Sequence, residues 1–296
     1  MALSAARNRP VRNAEAQNPP AVAARVFLVG CPRSGTTLLQ SLLCAHPQVF
    51  SVPESHFYSK IPSANRVLRR SGFARRDAPV RFSALLESLG LPPVEVRSPF
   101  VRDYLRGLAA ALDRATLEAG KRIWLEKTPR HLLFVGDIAH ALPGSRFIHL
   151  LRCGPDVVAS LYEVTRDYPE VWGGPRSLEA CVERWLRDTA ISRRYEGAAG
   201  HFTARYEALT ADPEGYLREL FAFIGAPAGD AVLAEVLSSY QRSAAGVTGG
   251  ERWKEGVCGV IRPNREKFAR LTPERRAYVS RRTRPFDAAS GSLGGR

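Results

Sequence analysis

Short apolar runs alternate with segments of helical periodicity through most of the chain. Five apolar runs predict buried strands, at Arg25–Val29, Val49–Val52, Arg122–Glu126, Arg146–Leu151 and His201–Tyr206. Apolar residues at helical spacing predict helices at Thr36–Ala45, 131–142, Asp156–Val164, Leu178–Tyr195 and after Asp212-Pro213. The alternation predicts an α/β fold of three layers, with a mainly parallel central sheet flanked by helices.

The two ends of the chain and one internal stretch depart from this pattern. Residues 1–24 are rich in Ala, Arg, Asn and Pro and predict a disordered extension, and 286–296 predict a flexible tail. The remainder, 25–285, is expected to form one domain. Within it, a basic helical stretch at about 57–120 is broken by prolines, and we expect an insertion or lid rather than a core layer.

Charge and cysteine usage narrow the class of partner. The 296 residues carry 43 Lys and Arg against 29 Asp and Glu, a net charge of +14. This excess is spread along the chain, so we expect an acidic small ligand and no nucleic acid.

The five cysteines form no CxxC pair, which predicts a reduced, cytoplasmic protein with neither a disulfide framework nor a metal site. No apolar run reaches the ~20 residues of a membrane span.

The stretch VFLVGCPRSGTTLL, residues 26–39, holds the strongest chemical signal. Gly30 and Gly35 stand where the glycines of a phosphate-binding P-loop, GxxxxGK[ST], would stand, between a strand and a helix. Thr36 occupies the lysine position, and the nearby cation is Arg33. The setting is P-loop-like, but a P-loop kinase or NTPase would lack its phosphate-neutralising lysine. A nucleotide without a γ-phosphate and without a metal fits this loop better.

Four segments together carry a family resemblance. They read VFLVGCPRSGTTLLQSLLCAHPQV, LEKTPRHL, PGSRFIHLLRCGPDVVAS and ARYEALTADPEGYLRELFAFIG. The chain resembles the sulfotransferases that use 3′-phosphoadenosine-5′-phosphosulfate (PAPS) as donor, closest to the bacterial and tyrosylprotein-like branch. The resemblance implies direct in-line transfer of a sulfuryl group to an acceptor hydroxyl or amine. It also implies the product adenosine 3′,5′-bisphosphate and no metal.

The resemblance implies a role for each matched position. The 5′-phosphosulfate would be bound by Arg33, Ser34, Gly35, Thr36 and Thr37, and the 3′-phosphate by Arg152, Ser160 and, more weakly matched, Arg252 and Lys254. Glu54 would be the general base, and Lys127, with Arg33, would stabilise charge on the leaving phosphate. His56 is a competing base. Tyr206 and Glu207 are expected to be structural or to lie near adenine.

Two other classes of function stay open on the sequence. One is a P-loop kinase or NTPase-like phosphotransferase, which Thr36 disfavours. The other is a non-catalytic nucleotide-binding protein, in which Glu54 would be dispensable. The acceptor is expected to be a small molecule, a glycan or a peptide, and the oligomeric state is not predicted. Aromatic side chains that could line its pocket are Phe57, Tyr58, Tyr168 and Trp172.

Overall fold

Parallel strands form the centre of the structure, a computed structural model that describes residues 21–226, 228–242 and 266–288. The strands are β1 (Ala24–Gly30), β2 (Val49–Ser51), β3 (Ile123–Lys127), β4 (Arg146–Leu151) and β5 (His201–Arg205). They form a five-stranded sheet in the order β2-β3-β1-β4-β5, and every pairing is parallel. In β1, β3 and β4 nearly every residue is buried, which explains their continuous apolar sequences.

Helices connect the strands. They are α1 (Thr36–Cys44), α2 (Phe57–Lys60), α3 (Arg66–Arg70), α4 (Ala78–Ser88), α5 (Val101–Glu118), α6 (Val135–Ala141), α7 (Gly154–Asp167), α8 (Pro169–Trp172), α9 (Leu178–Arg193), α10 (Tyr206–Ala211), α11 (Pro213–Ile224), α12 (Asp230–Arg242), α13 (Glu266–Ala269) and α14 (Pro273–Ala288). A 3₁₀ helix, Pro129–Phe134, precedes α6. The predicted strands and helices are confirmed, with ends that shift by a few residues.

Alternate residues of each strand point to opposite faces of the sheet, and each face is covered. Phe27 of β1 lies against Trp124 of β3 and Phe147 of β4, with ring centroids 5.2 and 5.6 Å apart, in the cluster that includes α4, α5 and α6. Val26 and Leu28 belong to the opposite cluster, which includes α1, α11 and α12. The three-layer α/β architecture is therefore confirmed.

Helices α4 and α5 belong to the stretch at about 57–120 that is predicted to be an insertion or lid rather than a core layer, and both pack against the sheet. Phe82 of α4 and Tyr104, Leu105 and Leu108 of α5 are buried in the same cluster as the sheet residue Phe27. The physical reason is that α5 is amphipathic: its apolar stripe packs inward while its arginines stay at the surface. A role of this stretch as a lid stays a prediction.

The predicted boundaries lie partly outside the described residues. Residues 1–20, 227, 243–265 and 289–296 are not described, and these include most of the predicted extension and tail. Ala23 and Ala24 belong to the folded part, since the Ala23 N–H donates to the Arg122 carbonyl at 2.6 Å and β1 begins at Ala24. Of the helices described, none is long and apolar enough to cross a membrane.

A third buried cluster joins α7, α9 and α14 beside the phosphate loop. It contains Val157, Trp185, Val279 and the loop residue Cys31. The Trp185 indole N–H donates to the Arg152 carbonyl at 3.1 Å, and the Asp287 carboxylate accepts from the Gly154 N–H at 3.1 Å. These contacts fix the end of β4, which Arg152 follows, and the start of α7, the helix that carries Ser160.

Candidate active site

The loop between β1 and α1 has the backbone of a phosphate cradle. Gly30 and Gly35 have φ values of 156° and 101°, and Arg33 has a φ of 74°, which is uncommon for a residue with a side chain. A Cβ on Gly30 would lie 2.6 Å from the Leu150 carbonyl oxygen, and one on Gly35 would lie 2.6 Å from the Tyr206 ring. Both glycines are therefore required by close packing as well as by conformation.

Hydroxyl groups of the loop are withdrawn from bulk solvent. Ser34, Thr36 and Thr37 are all buried, and Ser34 Oγ has no hydrogen-bond partner among the described residues. A buried hydroxyl without a hydrogen-bond partner costs roughly 1–3 kcal/mol, so a ligand that accepts a hydrogen bond from Ser34 would be stabilising there. The hydroxyl lies next to the N-terminus of α1, whose free N–H groups and dipole also favour an anion.

Arg33 links the loop to helix α7. Its Nε–H donates to Ser160 Oγ at 3.1 Å. These two residues are predicted to bind different phosphates of the donor, and the structure brings them into direct contact. The side chains predicted to bind the two phosphates are therefore adjacent.

Arg152 is held by a carboxylate and an aromatic ring at the end of β4. Its guanidinium donates to Asp156 Oδ2 at 3.3 Å and lies 4.1 Å from the centroid of the Tyr206 ring. The same ring packs against Gly35, so Tyr206 connects the phosphate loop to Arg152. Glu207 accepts from the Cys153 N–H at 2.9 Å, which fixes the neighbouring backbone. These contacts agree with the structural roles expected for Tyr206 and Glu207.

Glu54 and Lys127 form a buried ion pair. Lys127 Nζ donates to Glu54 Oε1 at 2.5 Å, and the two side chains are 1% and 13% exposed. His56 Nε2 lies 3.6 Å from Glu54 Oε2, so the two candidate bases are neighbours in the site. Lys127 is the last residue of β3 and pairs in register with Leu28 of β1, so the ion pair and the phosphate loop follow adjacent strands.

A second buried carboxylate, which the sequence analysis did not single out, supports this pair. Glu126 is fully buried and accepts hydrogen bonds from Ser55 Oγ at 2.8 Å and Thr128 Oγ1 at 2.6 Å, and His131 Nδ1 lies 2.9 Å away. Burial raises the pKa of Glu126, but the His131 charge and these hydrogen bonds outweigh it and lower the pKa to about 2.

The Glu126 network reaches the backbone around the candidate base. Glu126 Oε1 also accepts from the Ser55 N–H, and Thr128 Oγ1 accepts from the His56 N–H, both at 3.3 Å. Glu126 and Thr128, which flank Lys127, thus hold the backbone of the two residues after Glu54. The only sequence signal was a charged residue in the otherwise apolar run IWLE.

The remaining predicted site residues lie outside the described structure. Arg252 and Lys254, with Trp253 between them, fall in 243–265. Among the residues described, no group of three or more His, Cys, Asp or Glu side chains is arranged to hold a metal ion.

Comparison with known proteins agrees with this geometry. A family model described as "Sulfotransferase family" matches residues 25–230, which contain all of the site just described. The chain belongs to the sulfotransferase family. One relative is protein-tyrosine sulfotransferase 1 of Danio rerio, 27% identical over 212 residues, which cover 70% of this chain and 55% of the relative.

Two of the curated relatives that the chain matches are longer proteins. The nodulation protein NoeE of Sinorhizobium fredii is 32% identical over 188 residues, which cover 63% of this chain and 39% of that protein. The chain therefore spans about half, or less, of the length of these curated relatives.

Solved sulfotransferase structures share the fold. The sulfotransferase domain of the Synechococcus olefin synthase superposes with a TM-score of 0.56 at 19% identity, covering 89% of this chain and 94% of that domain. The sulfotransferase domain of the curacin biosynthetic pathway gives a TM-score of 0.54 at 18% identity, with 87% and 96% covered. At this level of identity the likeness shows the fold alone.

Proposed function

We propose that this sulfotransferase-family protein transfers a sulfuryl group from PAPS to a hydroxyl or amine of an acceptor, directly and in line. The observation that carries the proposal is the buried Glu54–Lys127 ion pair beside the phosphate loop. A base and a cation held together at the carboxyl ends of adjacent strands serve the two ends of a group transfer.

The donor's 5′-phosphosulfate fits the loop between β1 and α1. Backbone N–H groups at the start of α1, the buried Ser34 hydroxyl and the guanidinium of Arg33 supply donors for its oxygens, with Thr36 and Thr37 beside them. Gly35 permits the close approach of the loop to Tyr206. A mouse sulfotransferase with a TM-score of 0.51 and 14% identity, covering 88% of this chain and 83% of that one, was solved with PAP.

The 3′-phosphate is assigned to Arg152 and Ser160. Arg152 is only 10% exposed, oriented by Asp156 and stacked on Tyr206, so its position is fixed before a ligand arrives. Ser160 lies on α7 within hydrogen-bond distance of Arg33. Arg252 and Lys254 are proposed to complete this subsite, on the resemblance alone.

Glu54 and Lys127 divide the chemistry between them. As the acceptor oxygen or nitrogen forms its bond to sulfur, Glu54 takes the proton from that atom. The bond between sulfur and the 5′-phosphate oxygen breaks, and the charge left on that oxygen is met by Lys127 and Arg33. Lys127 therefore exchanges its contact with Glu54 for the leaving phosphate. No step of the proposal requires a metal, because these cations carry the developing charge.

His56 is the second candidate for the base. It lies 3.6 Å from Glu54, with its side chain 44% exposed, whereas Glu54 is 13% exposed and bonded to Lys127. Glu54 is favoured because its carboxylate is already oriented by that lysine. A His56→Gln variant that keeps activity while Glu54→Gln loses it would separate the two.

The test is donor consumption with a panel of acceptors. Purified protein is incubated with PAPS and phenols, sugars, amines or tyrosine peptides, and formation of adenosine bisphosphate is followed. Tyrosine peptides come first because the Danio rerio relative is named a protein-tyrosine sulfotransferase. We expect acceptor-dependent release of the bisphosphate. Magnesium-dependent ATP turnover would instead establish a phosphotransferase, and bisphosphate binding without transfer to any acceptor would establish a binding protein.

A further inference from the structure

Helix α9 carries a buried guanidinium that its surroundings leave short of hydrogen bonds. Arg184 is 9% exposed, and its Nε–H has no hydrogen-bond partner among the described residues. Its nearest carboxylate, Asp188 Oδ2, lies 3.6 Å away, which is too long for a hydrogen bond. A buried guanidinium with five N–H donors is costly unless acceptors meet it.

The Asp188 carboxylate is already committed to other groups. Arg187 donates to Asp188 Oδ1 through Nε at 3.0 Å and through a terminal nitrogen at 2.7 Å. Burial raises the pKa of the Cys31 thiol, and Asp188, which accepts a hydrogen bond from that thiol, raises it further. Asp188 therefore lies beside Cys31 at the start of the phosphate loop, and its shorter contacts are with Arg187 rather than with Arg184.

A third guanidinium comes from the other side. Arg130 lies in the 3₁₀ helix that follows Lys127, and α9 packs against this helix and against β1. No described carboxylate forms an ion pair with Arg130. Partial burial lowers the pKa of Arg130, and the charges of Arg184, Arg176 and Arg187 lower it further, while Asp188 raises it. Asp188 therefore forms ion pairs with Arg184 and Arg187, while Arg130, on the 3₁₀ helix that packs against α9, has no ion pair with a described carboxylate.

We infer that Arg130 and Arg184 form an anion subsite that binds a carboxylate, sulfate or phosphate group carried by the acceptor. That the acceptor carries this group rests on the proposed function, whereas the anion subsite itself rests on the two arginines. The donor's phosphates already have assigned partners in Arg33 and Arg152. Arg130 lies three residues after Lys127, the last residue of β3, at the end of the strand where the acceptor must approach sulfur. An acceptor with a negative group would meet the hydrogen-bond donors that Asp188 leaves unmet.

The probe for this subsite is 3-phenylpropionate, with its neutral amide as the matched comparison and inorganic sulfate as a second anion. Neither organic probe offers a hydroxyl or a nucleophilic amine, so bound PAPS stays intact and occupies the loop during the titration. Binding is measured by calorimetry on the full chain, with and without PAPS. This measurement does not depend on turnover, so a failure of sulfuryl transfer would be seen separately, in the acceptor panel.

Arg130→Gln and Arg184→Gln are the test variants, and Arg97→Gln is the control. Arg97 is exposed and paired with Glu95 on the surface. We expect the wild type and the control to bind the carboxylate about tenfold or more tighter than the amide. Each test variant should lose most of that preference while PAPS affinity stays within about twofold.

Three results would overturn the subsite. These are equal binding of carboxylate and amide, no binding of either anion, or a loss of PAPS affinity in the variants that matches their loss of anion affinity. The last result would assign the arginines to the donor. Arg184 is buried, and its variant could fail to fold; circular dichroism detects this, and the exposed Arg130 variant then decides.

Discussion

Replacing Glu54 by Gln tests the ion pair in the site with almost no change of shape. The carboxylate lies 2.5 Å from Lys127, and the two side chains are 13% and 1% exposed. Removing one partner of a buried pair costs about 3–5 kcal/mol, because the other charge is left without compensation. The Gln amide oxygen can still accept one hydrogen bond, worth about 1 kcal/mol. We therefore expect the free energy of unfolding to fall by about 2–4 kcal/mol.

Urea denaturation measures this change, and Glu95→Gln is its control. Glu95 forms an ion pair with Arg97 at 2.6 Å, nearly the same distance, but the two side chains are 72% and 84% exposed. Solvent screens that pair, so the control should lose little stability. A loss for Glu54→Gln no larger than that of the control would refute the claim that burial gives the pair its strength.

The same variant tests the assignment of the base. Without the carboxylate no proton is taken from the acceptor, so we expect turnover to fall about 10²- to 10⁴-fold. Adenosine bisphosphate affinity should stay nearly unchanged, because the phosphates are bound by the loop and by Arg152. Wild-type turnover in Glu54→Gln would remove this residue from the mechanism.

Three further predictions concern the donor site and the fold. Arg152→Ala should weaken adenosine 3′,5′-bisphosphate about tenfold more than 5′-AMP in calorimetry; equal losses would contradict its place at the 3′-phosphate. Gly35→Ala should weaken the bisphosphate, because its Cβ would lie 2.6 Å from Tyr206, whereas Gly72→Ala, with nothing within 4 Å, should not. Burial lowers the pKa of His149 to about 3, so its neutral form is favoured on folding and stability is lost below the unfolded pKa of about 6.5. Between about pH 7 and about pH 5 this amounts to about 2 kcal/mol, and a His149→Phe variant with the same pH dependence would contradict it.

Local sequence patterns were enough to predict the strands, the phosphate loop and the family resemblance. The run from Val26 to Leu39 holds a buried strand, two glycines and a helix, and each depends on neighbours in sequence. The position of Lys127 beside the loop followed from parallel strands, whose carboxyl ends meet at one edge of the sheet.

What the sequence could not predict depends on contacts between distant segments. The Arg33–Ser160 hydrogen bond and the Tyr206 ring over Arg152 join residues of separate helices and loops. Glu126 gave little signal in the sequence: Thr128 and His131 follow it closely, but Ser55, which links the network to the candidate base, lies 71 residues away and is brought close only by the fold. Helix α5 lies in a basic stretch broken by prolines, which predicts an insertion, but its apolar stripe packs into the core beside the sheet.

The central claim is that the Glu54–Lys127 pair and the phosphate loop act together in sulfuryl transfer. The most direct measurement follows sulfur-labelled PAPS with an acceptor from the panel, in the wild type and in Glu54→Gln. The account predicts that label appears on the acceptor in step with bisphosphate in the wild type, and that Glu54→Gln binds the donor but transfers almost none. Label that moves equally well in both proteins, or never leaves the donor with any acceptor, would contradict it.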